Sequence, residues 1–126
     1  MLYFGTEIFD GKIYANFPLE EDIPLEDQDF FLTSDVGGVD YNFRGYGFCI
    51  SLAWFGDICD ISNPENRFCV RVFEGPRTGG KTFFREFTES DLKQFKLAFK
   101  RAVDFVQRVR VMSDDEIEAL PRVFYR

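Results

Sequence analysis

One stretch of the chain matches a phosphate-binding pattern letter for letter. Residues 75–82 read GPRTGGKT, which places Gly75, Gly80, Lys81 and Thr82 on the fixed positions of G-x-x-x-x-G-K-[ST]. In such a loop the backbone amides hold phosphate oxygens, the lysine contacts the outer phosphates and the hydroxyl binds magnesium. The loop must open a helix, yet the residues that follow, TFFREF, alternate like a strand. We therefore favour a hairpin loop and keep a phosphate- or nucleotide-binding domain as an alternative.

The densest group of reactive side chains is acidic. The segment 18–29, PLEEDIPLEDQD, has six carboxylates and no cation. Its spacing lacks the alternate ligands, the central glycine and the terminal glutamate of an EF-hand, so we predict no bound metal and no cofactor. We predict instead that these six residues bind a partner, with two nearby aspartates as secondary candidates. The full set is Glu20, Glu21, Asp22, Glu26, Asp27, Asp29, Asp35 and Asp40.

The other reactive side chains argue against catalysis. The chain has no histidine, which excludes Ser-His-Asp and Cys-His nucleophiles and histidine-bound zinc. Cys49, Cys59 and Cys69 are odd in number and lie ten residues apart, a spacing that matches no common zinc site. Because Cys49 and Cys69 lie within apolar runs, we expect buried, reduced thiols there. We predict no catalytic residue and a protein that is not an enzyme.

Charge is divided unequally along the chain. Residues 1–63 hold 12 acidic and two basic residues, whereas residues 64–126 hold 10 acidic and 13 basic residues, and the whole chain has a net charge of −7. Such an asymmetry indicates an interaction surface more than a fold. Enzymes that handle nucleic acids present lysine and arginine to the phosphate backbone, so a protein that blocks them must offer carboxylates at comparable density.

These features favour a non-catalytic acidic binding or inhibitor protein, of the kind of an immunity protein or a phage-type antagonist. We expect it to dock on a basic protein partner, such as a toxin, a nuclease or another nucleic-acid-binding enzyme, without touching nucleic acid itself. A homo-oligomeric structural module is a third hypothesis, in which the acidic half of one copy meets the basic half of another.

The length and the hydropathy pattern indicate the number of domains and the cellular compartment. The 126 residues predict a single domain over residues 1–126. No apolar run approaches the roughly 18 residues that span a bilayer, and the N-terminus lacks the features of a signal peptide. We therefore expect a cytoplasmic protein with no membrane contact.

The elements that must position these side chains begin with strands. Asp10-Gly11 between two apolar-rich runs predicts a hairpin of residues 2–9 and 12–17. A short strand is predicted at residues 30–33, and Gly37-Gly38 is predicted to form a turn or a flexible joint. Longer strands are predicted by the alternating or continuously apolar runs 39–44, 46–55, 67–74 and 82–87. The run 46–55 is apolar on both faces, so it should be the central strand.

Helices are predicted in the last third of the chain. Thr88 reads as the N-cap of a helix that runs to about residue 111, with its apolar stripe at helical spacing. Residues 113–116, SDDE, predict the capping box of a second, short helix that ends before Pro121. Together the elements predict the α+β class: an antiparallel sheet of five to seven strands with one long C-terminal helix packed on one face.

Overall fold

The computed structural model describes residues 1–75 and 81–123. Within these ranges the strands are β1 (Leu2–Tyr3), β2 (Thr6–Glu7), β3 (Lys12–Ala15), β4 (Gly37–Phe43), β5 (Tyr46–Phe55), β6 (Arg67–Glu74) and β7 (Thr82–Glu89). The helices are a 3-10 helix (Leu25–Phe31), α1 (Leu92–Arg110) and α2 (Asp114–Glu118). Strands β3 to β7 form one antiparallel sheet in sequence order, and β1 pairs with β2 beside it. The predicted α+β class, with a long helix on an antiparallel sheet, is confirmed.

Strand β5 lies in the centre of the sheet, as its two apolar faces predict. One face carries Ile50, Leu52 and Trp54, which are buried in the core beneath α1. Every second residue points away from α1, so Ser51 and Phe55 lie on the opposite face of the sheet. The helix covers one face because its buried stripe repeats at helical spacing while its charged residues point outward.

Aromatic packing joins the helix to the sheet. The ring of Phe95 on α1 stacks on Phe68 of β6 with centroids 4.1 Å apart, and both side chains are fully buried. Phe4 and Phe17, from the N-terminal segment, extend this cluster, and Phe4 stacks on Phe17 at 4.0 Å. Much of the chain's phenylalanine therefore packs in or against the core.

The predicted hairpin at Asp10-Gly11 is wrong. The tight hairpin lies earlier, between β1 and β2, where Phe4 and Gly5 both have positive φ (46° and 73°). The chain does turn at Gly11, whose amide donates to the Ile8 carbonyl, but β3 then pairs with β4. Asp10-Gly11 does mark a reversal of the chain. Which strands pair, however, depends on the packing of the aromatic core to which Phe4 belongs.

The strand predicted at residues 30–33 is wrong too, because Phe30 and Phe31 end the 3-10 helix. Gly37-Gly38 is not a turn but the start of β4. A Cβ atom on Gly38 would lie 2.0 Å from the ring of Tyr14, and the Gly38 amide donates to the Tyr3 hydroxyl at 2.9 Å. These glycines are needed for close approach of tyrosine rings, not for a reversal of the chain.

The N-cap of α1 is Asp91 and not Thr88. The Asp91 carboxylate accepts a hydrogen bond from the Lys93 amide at 2.9 Å. Thr88 is instead buried within β7, which continues to Glu89 because that residue pairs with Arg67 of β6. The second capping box is confirmed at Ser113 and Glu116, each of which bonds the other's backbone amide. The C-terminal tail continues from α2 to Val123, whose amide donates to the Thr82 carbonyl, and the remaining tail residues lie outside the described ranges.

The core packing predicts a contrast between two apolar residues that lie two positions apart on α1. Phe95→Ala should lower the free energy of unfolding by about 3–5 kcal/mol, because it removes a fully buried ring and leaves a cavity against Phe68. Leu97→Ala, at a half-exposed position of the same helix, should cost less than about 1 kcal/mol. Urea unfolding followed by circular dichroism measures both, and equal losses would contradict the packing described here.

Candidate functional site

The acidic segment is held closed by one buried glutamine. The side-chain amide of Gln28 donates to the carbonyls of Glu20 and Ile23 at 2.9 Å each, and its oxygen accepts from the Glu20 amide at 3.0 Å. Gln28 is only 4% exposed, and Leu19 beside the loop is buried in the core. Three hydrogen bonds to a buried amide fix the backbone of the loop, so its carboxylates project from a defined scaffold.

A groove of about 600 Å³ runs between the 3-10 helix and the loop of residues 57–62. Its described lining residues are Leu25, Glu26, Asp29, Ile58, Cys59, Asp60, Ile61, Ser62 and Ser90. Glu26 and Asp29 come from the predicted acidic segment, and Asp60 comes from the facing loop. No lysine or arginine is among the described lining residues. We call this feature the acidic groove.

The loop that supplies Asp60 is also fixed from within. The side-chain amide of Asn66, which is buried, donates to the carbonyls of Asp60 and Ile61 at 3.0 and 3.1 Å. Its oxygen accepts from the Asp57 amide at 2.9 Å. The Asp60 carboxylate accepts from the Ser62 hydroxyl at 2.8 Å. Both walls of the acidic groove therefore rest on a buried side-chain amide that bonds to the backbone.

Exposed apolar side chains stand beside the acidic groove. Phe30, at the end of the 3-10 helix, is 71% exposed, and its ring centroid lies 4.2 Å from that of Phe31. Ile58, on the opposite wall, is 55% exposed. The sequence analysis missed the exposure of Phe30, because in a strand at residues 30–33 one of the two phenylalanines would point into the core. The two consecutive phenylalanines, Phe30 and Phe31, were the available signal in the sequence.

The structure does not bring all the predicted partner-binding residues together. Glu20 and Glu21 line a second hollow, with the N-terminal hairpin, and Glu21 is paired with Lys96 at 2.9 Å. Asp22 and Asp27 are exposed on the loop. In the described part of the chain, Glu21 is the one member of the six that forms an ion pair. The six carboxylates are thus largely unneutralised, but two of them line each concavity and the other two, Asp22 and Asp27, line neither.

The two secondary candidates lie elsewhere. Asp40 is on β4, opposite Lys12 of β3, on the face of the sheet that points away from α1. Asp35 precedes β4, and its amide donates to the Thr33 hydroxyl. The charge of Asp35 contributes to the raised pKa values of Tyr3 and Tyr14, although burial is the largest cause for both. Neither aspartate lines the acidic groove.

Two of the three cysteines, Cys49 and Cys69, are buried thiols of low reactivity. Cys49 and Cys69 are buried and free, as predicted, while Cys59 is free and exposed. Burial raises the pKa of Cys49 to about 12 and that of Cys69 to about 11, so neither forms a thiolate near neutral pH. These two positions offer no nucleophile.

The phosphate-loop pattern begins after β6 and ends at the first residue of β7, and these two strands pair antiparallel. Thr82 begins β7 and is buried, and the Lys81 carbonyl accepts from the Glu74 amide at 2.8 Å. No helix begins after Lys81, because Thr82–Glu89 is a strand, so the helix dipole that would hold a phosphate is missing after this lysine. Gly80 lies outside the described residues. The hairpin interpretation agrees with the structure of the residues around it.

Two further types of site are not found in residues 1–75 and 81–123. No three His, Cys, Asp or Glu side chains lie close enough together to hold a metal ion. No helix in these ranges has the length and apolar character that crossing a membrane requires.

No family model, no curated protein and no solved structure matches this chain. Its function therefore has to be inferred from its own surface.

The buried glutamine predicts a local effect on the acidic segment. Gln28→Ala should cost about 1–3 kcal/mol in the free energy of unfolding, because three hydrogen bonds are lost around a buried position. The Glu20 amide should exchange its hydrogen at least roughly tenfold faster. Gln94→Ala, on the exposed side of α1, is the matched control and should change neither quantity. Unchanged exchange at Glu20 in the Gln28 variant would contradict the closed loop.

The burial of the thiols predicts selective alkylation. Iodoacetamide at about pH 8 should label the folded protein at Cys59 alone, because the other two thiols are protonated and shielded from solvent. In denaturant all three should react. Peptide mass spectrometry reads out the sites, and rapid labelling of Cys49 in the folded protein would show that its burial is wrong.

Proposed function

We propose that the protein is a non-catalytic binding or inhibitor protein that docks on a basic, nucleic-acid-handling partner in the cytoplasm. The observation that carries this proposal is the acidic groove, in which carboxylates from two separate segments face one another beside exposed apolar side chains.

Charge supplies the first support. Glu26, Asp29 and Asp60 line one concavity without a lysine or arginine among its described lining residues. An arginine or lysine of a partner that enters the groove meets negative charge on both walls. Complementary fields of this kind raise association rates at low salt well above the roughly 10⁵–10⁶ M⁻¹s⁻¹ of neutral pairs, and they select partners of the opposite sign.

Exposed apolar side chains supply the second support. Charged pairs at the rim of an interface mostly increase the association rate and the specificity, whereas buried aromatic side chains contribute most of the binding free energy. Ile58 lines the acidic groove and is 55% exposed, and Phe30, the residue after Asp29 in the 3-10 helix, is 71% exposed. A partner that covers both side chains would bury apolar surface near the carboxylates of the groove.

The fixed backbone is the third support. Gln28 holds the first wall and Asn66 the second, each through hydrogen bonds from a buried side-chain amide. A surface that is already in its binding conformation loses less conformational entropy on association. An inhibitor that has no catalytic turnover depends on such preorganisation for its affinity.

Free cysteines agree with the proposed compartment. Cys49, Cys59 and Cys69 form no disulfide with one another, which suits the reducing conditions of the cytoplasm. The nucleotide-binding alternative is not carried forward, because a strand and not a helix follows Lys81.

A pull-down from native cell extract, followed by purification of the retained protein, tests the proposal. The groove variant carries Glu26→Gln, Asp29→Asn and Asp60→Asn, and its affinity for the purified partner should fall roughly 10- to 100-fold at low salt. The affinity should also depend less on salt than that of the unmodified protein, because fewer charges are screened. Phe30→Ala should weaken binding at least roughly tenfold at any salt concentration.

The control variant changes the same net charge elsewhere. Asp104→Asn, Asp115→Asn and Glu118→Gln remove three carboxylates from the exposed sides of α1 and α2. This variant should keep the affinity within about threefold. The proposal fails if the retained protein is not basic, or if the control variant weakens binding as much as the groove variant. Retention of a second copy of this chain alone, with salt-sensitive self-association in sedimentation, would favour the homo-oligomeric hypothesis instead.

A further inference from the structure

The acidic segment lines two concavities, and the second of them differs from the acidic groove in being mostly apolar. This second concavity, which we call the N-terminal hollow, has a volume of about 610 Å³. Both concavities fall within the roughly 300–1,000 Å³ of sites that hold small ligands, so each can take a side chain of a partner. The described lining residues of the N-terminal hollow are Leu2, Tyr3, Phe4, Gly5, Asn16, Phe17, Leu19, Glu20 and Glu21.

Aromatic rings form the apolar part of the N-terminal hollow. Phe4 stacks on Phe17 with ring centroids 4.0 Å apart, and both rings are partly buried against the core. Leu2, which also lines the hollow, is 70% exposed. A surface of this kind suits the apolar stem and the flat guanidinium group of an arginine, because guanidinium groups stack on aromatic rings.

The charges of the N-terminal hollow leave one carboxylate for an incoming cation. Glu21 is paired with Lys96 at 2.9 Å, so the ammonium group of Lys96 compensates its charge. Glu20 forms no ion pair with the described residues. The hollow thus combines aromatic rings with one uncompensated carboxylate, which complements a single positive charge.

One buried side chain joins the two concavities. Gln28 lies in the 3-10 helix between Glu26 and Asp29, which line the acidic groove. Its oxygen accepts from the Glu20 amide at 3.0 Å, and its own amide donates to the Glu20 carbonyl at 2.9 Å. The backbone of Glu20 is therefore bonded to the helix that carries Glu26 and Asp29. Because Gln28 is buried, these bonds fix the distance between the two sets of carboxylates.

We propose that the docking surface has two sites, and that a partner places one arginine in the acidic groove and a second arginine in the N-terminal hollow. Gln28 is a positioning residue in this arrangement, because it sets the distance between the sites and touches neither arginine. This inference rests on the proposed docking function, which it extends from one concavity to two.

The two sites favour arginine for related reasons. In the acidic groove, carboxylates from both walls can accept the several N–H donors of one guanidinium group. In the N-terminal hollow, the same group can stack on the rings while it contacts Glu20. When one site is filled, the second arginine of the same molecule is held near the other site, and a fixed spacing keeps this effective concentration high.

NMR titration of the isotope-labelled protein with synthetic peptides tests the proposal. Each peptide has two arginines separated by a flexible glycine-serine linker of roughly 2 to 12 residues. In the reference peptides one arginine is replaced by citrulline, which has nearly the same shape and no charge. At the best linker length the two-arginine peptide should bind at least roughly tenfold more tightly than either reference peptide, a ratio that we call the two-site gain. It should shift the resonances of residues 2–5 and 16–21 together with those of residues 25–29 and 58–62.

Substitutions locate the two sites. Glu20→Gln and Asp29→Asn should each reduce the two-site gain to less than about threefold, since each weakens one site. Asp22→Asn, on the same loop but outside both linings, is the matched control and should keep the gain. Replacing both arginines of the peptide by lysine should weaken binding at least roughly threefold, because lysine lacks the planar fork. Equal binding of the two-lysine peptide would contradict the choice of arginine.

The role of Gln28 is tested separately from that of the carboxylates. Gln28→Ala should leave the affinity for the reference peptides within about threefold and reduce the two-site gain to less than about threefold, because the spacing is no longer fixed. Gln94→Ala, on the exposed side of α1, should keep the gain. An unchanged gain in Gln28→Ala would show that Gln28 does not position the sites. Circular dichroism checks the folding of each variant, and Glu20→Gln against Asp22→Asn still tests the two sites if Gln28→Ala does not fold.

Three results would overturn the proposal. The first is a two-arginine peptide that binds no more tightly than the reference peptides at any linker length. The second is an equal loss of the two-site gain in Glu20→Gln and Asp22→Asn. The third is the appearance of the same shift changes when the protein alone is concentrated, which would make a second copy of this chain the occupant.

Failure of the two-site proposal can be told apart from failure of the docking function. If no two-site gain is found but the groove variant still weakens binding of the purified partner, the docking function stands with one concavity. If the retained protein is not basic, the docking function itself fails, whatever the peptides show.

Discussion

The packing of a single long helix on one face of the sheet is the constraint on which the rest of this structure depends. The buried stripe of α1 lies against β5, β6 and β7, and the stack of Phe95 on Phe68 is at its centre. Because one helix can cover only one face, the opposite face keeps the half-exposed rings of Phe55 and Phe87. The same packing brings the N-terminal hairpin and the acidic segment to the edge of the core, through Phe4 and Leu19.

The fold pairs some of the acidic and basic residues of the two halves and leaves other carboxylates unpaired. Several basic residues of the second half pair with carboxylates nearby, as Arg110 does with Asp10 and Arg101 does with Glu86. These exposed pairs contribute little stability, but they compensate charge around the helix. The acidic groove receives no such compensation from its described lining residues, which distinguishes it from an ordinary solvated surface.

The strands and the helix could be predicted because their patterns extend over many residues. The runs at 46–55 and 67–74 form β5 and β6 with the predicted bounds. A pattern of apolar residues over eight or more positions is long enough to indicate a strand. Short signals failed where tertiary contacts overrode them. Asp10-Gly11 does not form the predicted hairpin, because the aromatic contacts of Phe4 place the N-terminal strands differently. Gly37-Gly38 lies in a strand, where it allows close approach of Tyr3 and Tyr14.

The acidic groove was only half predictable for the same reason. Glu26 and Asp29 stood out as part of a dense acidic segment, but Asp60 lies thirty-one residues after Asp29, and only the fold brings it to the same groove.

Amide hydrogen exchange, measured with and without the purified partner, tests the central claim most directly. If the acidic groove is the docking surface, binding should slow exchange in residues 25–31 and 57–62 and leave α1 unchanged. Protection confined to α1 or to the open face of the sheet, with none at the groove, would contradict the account.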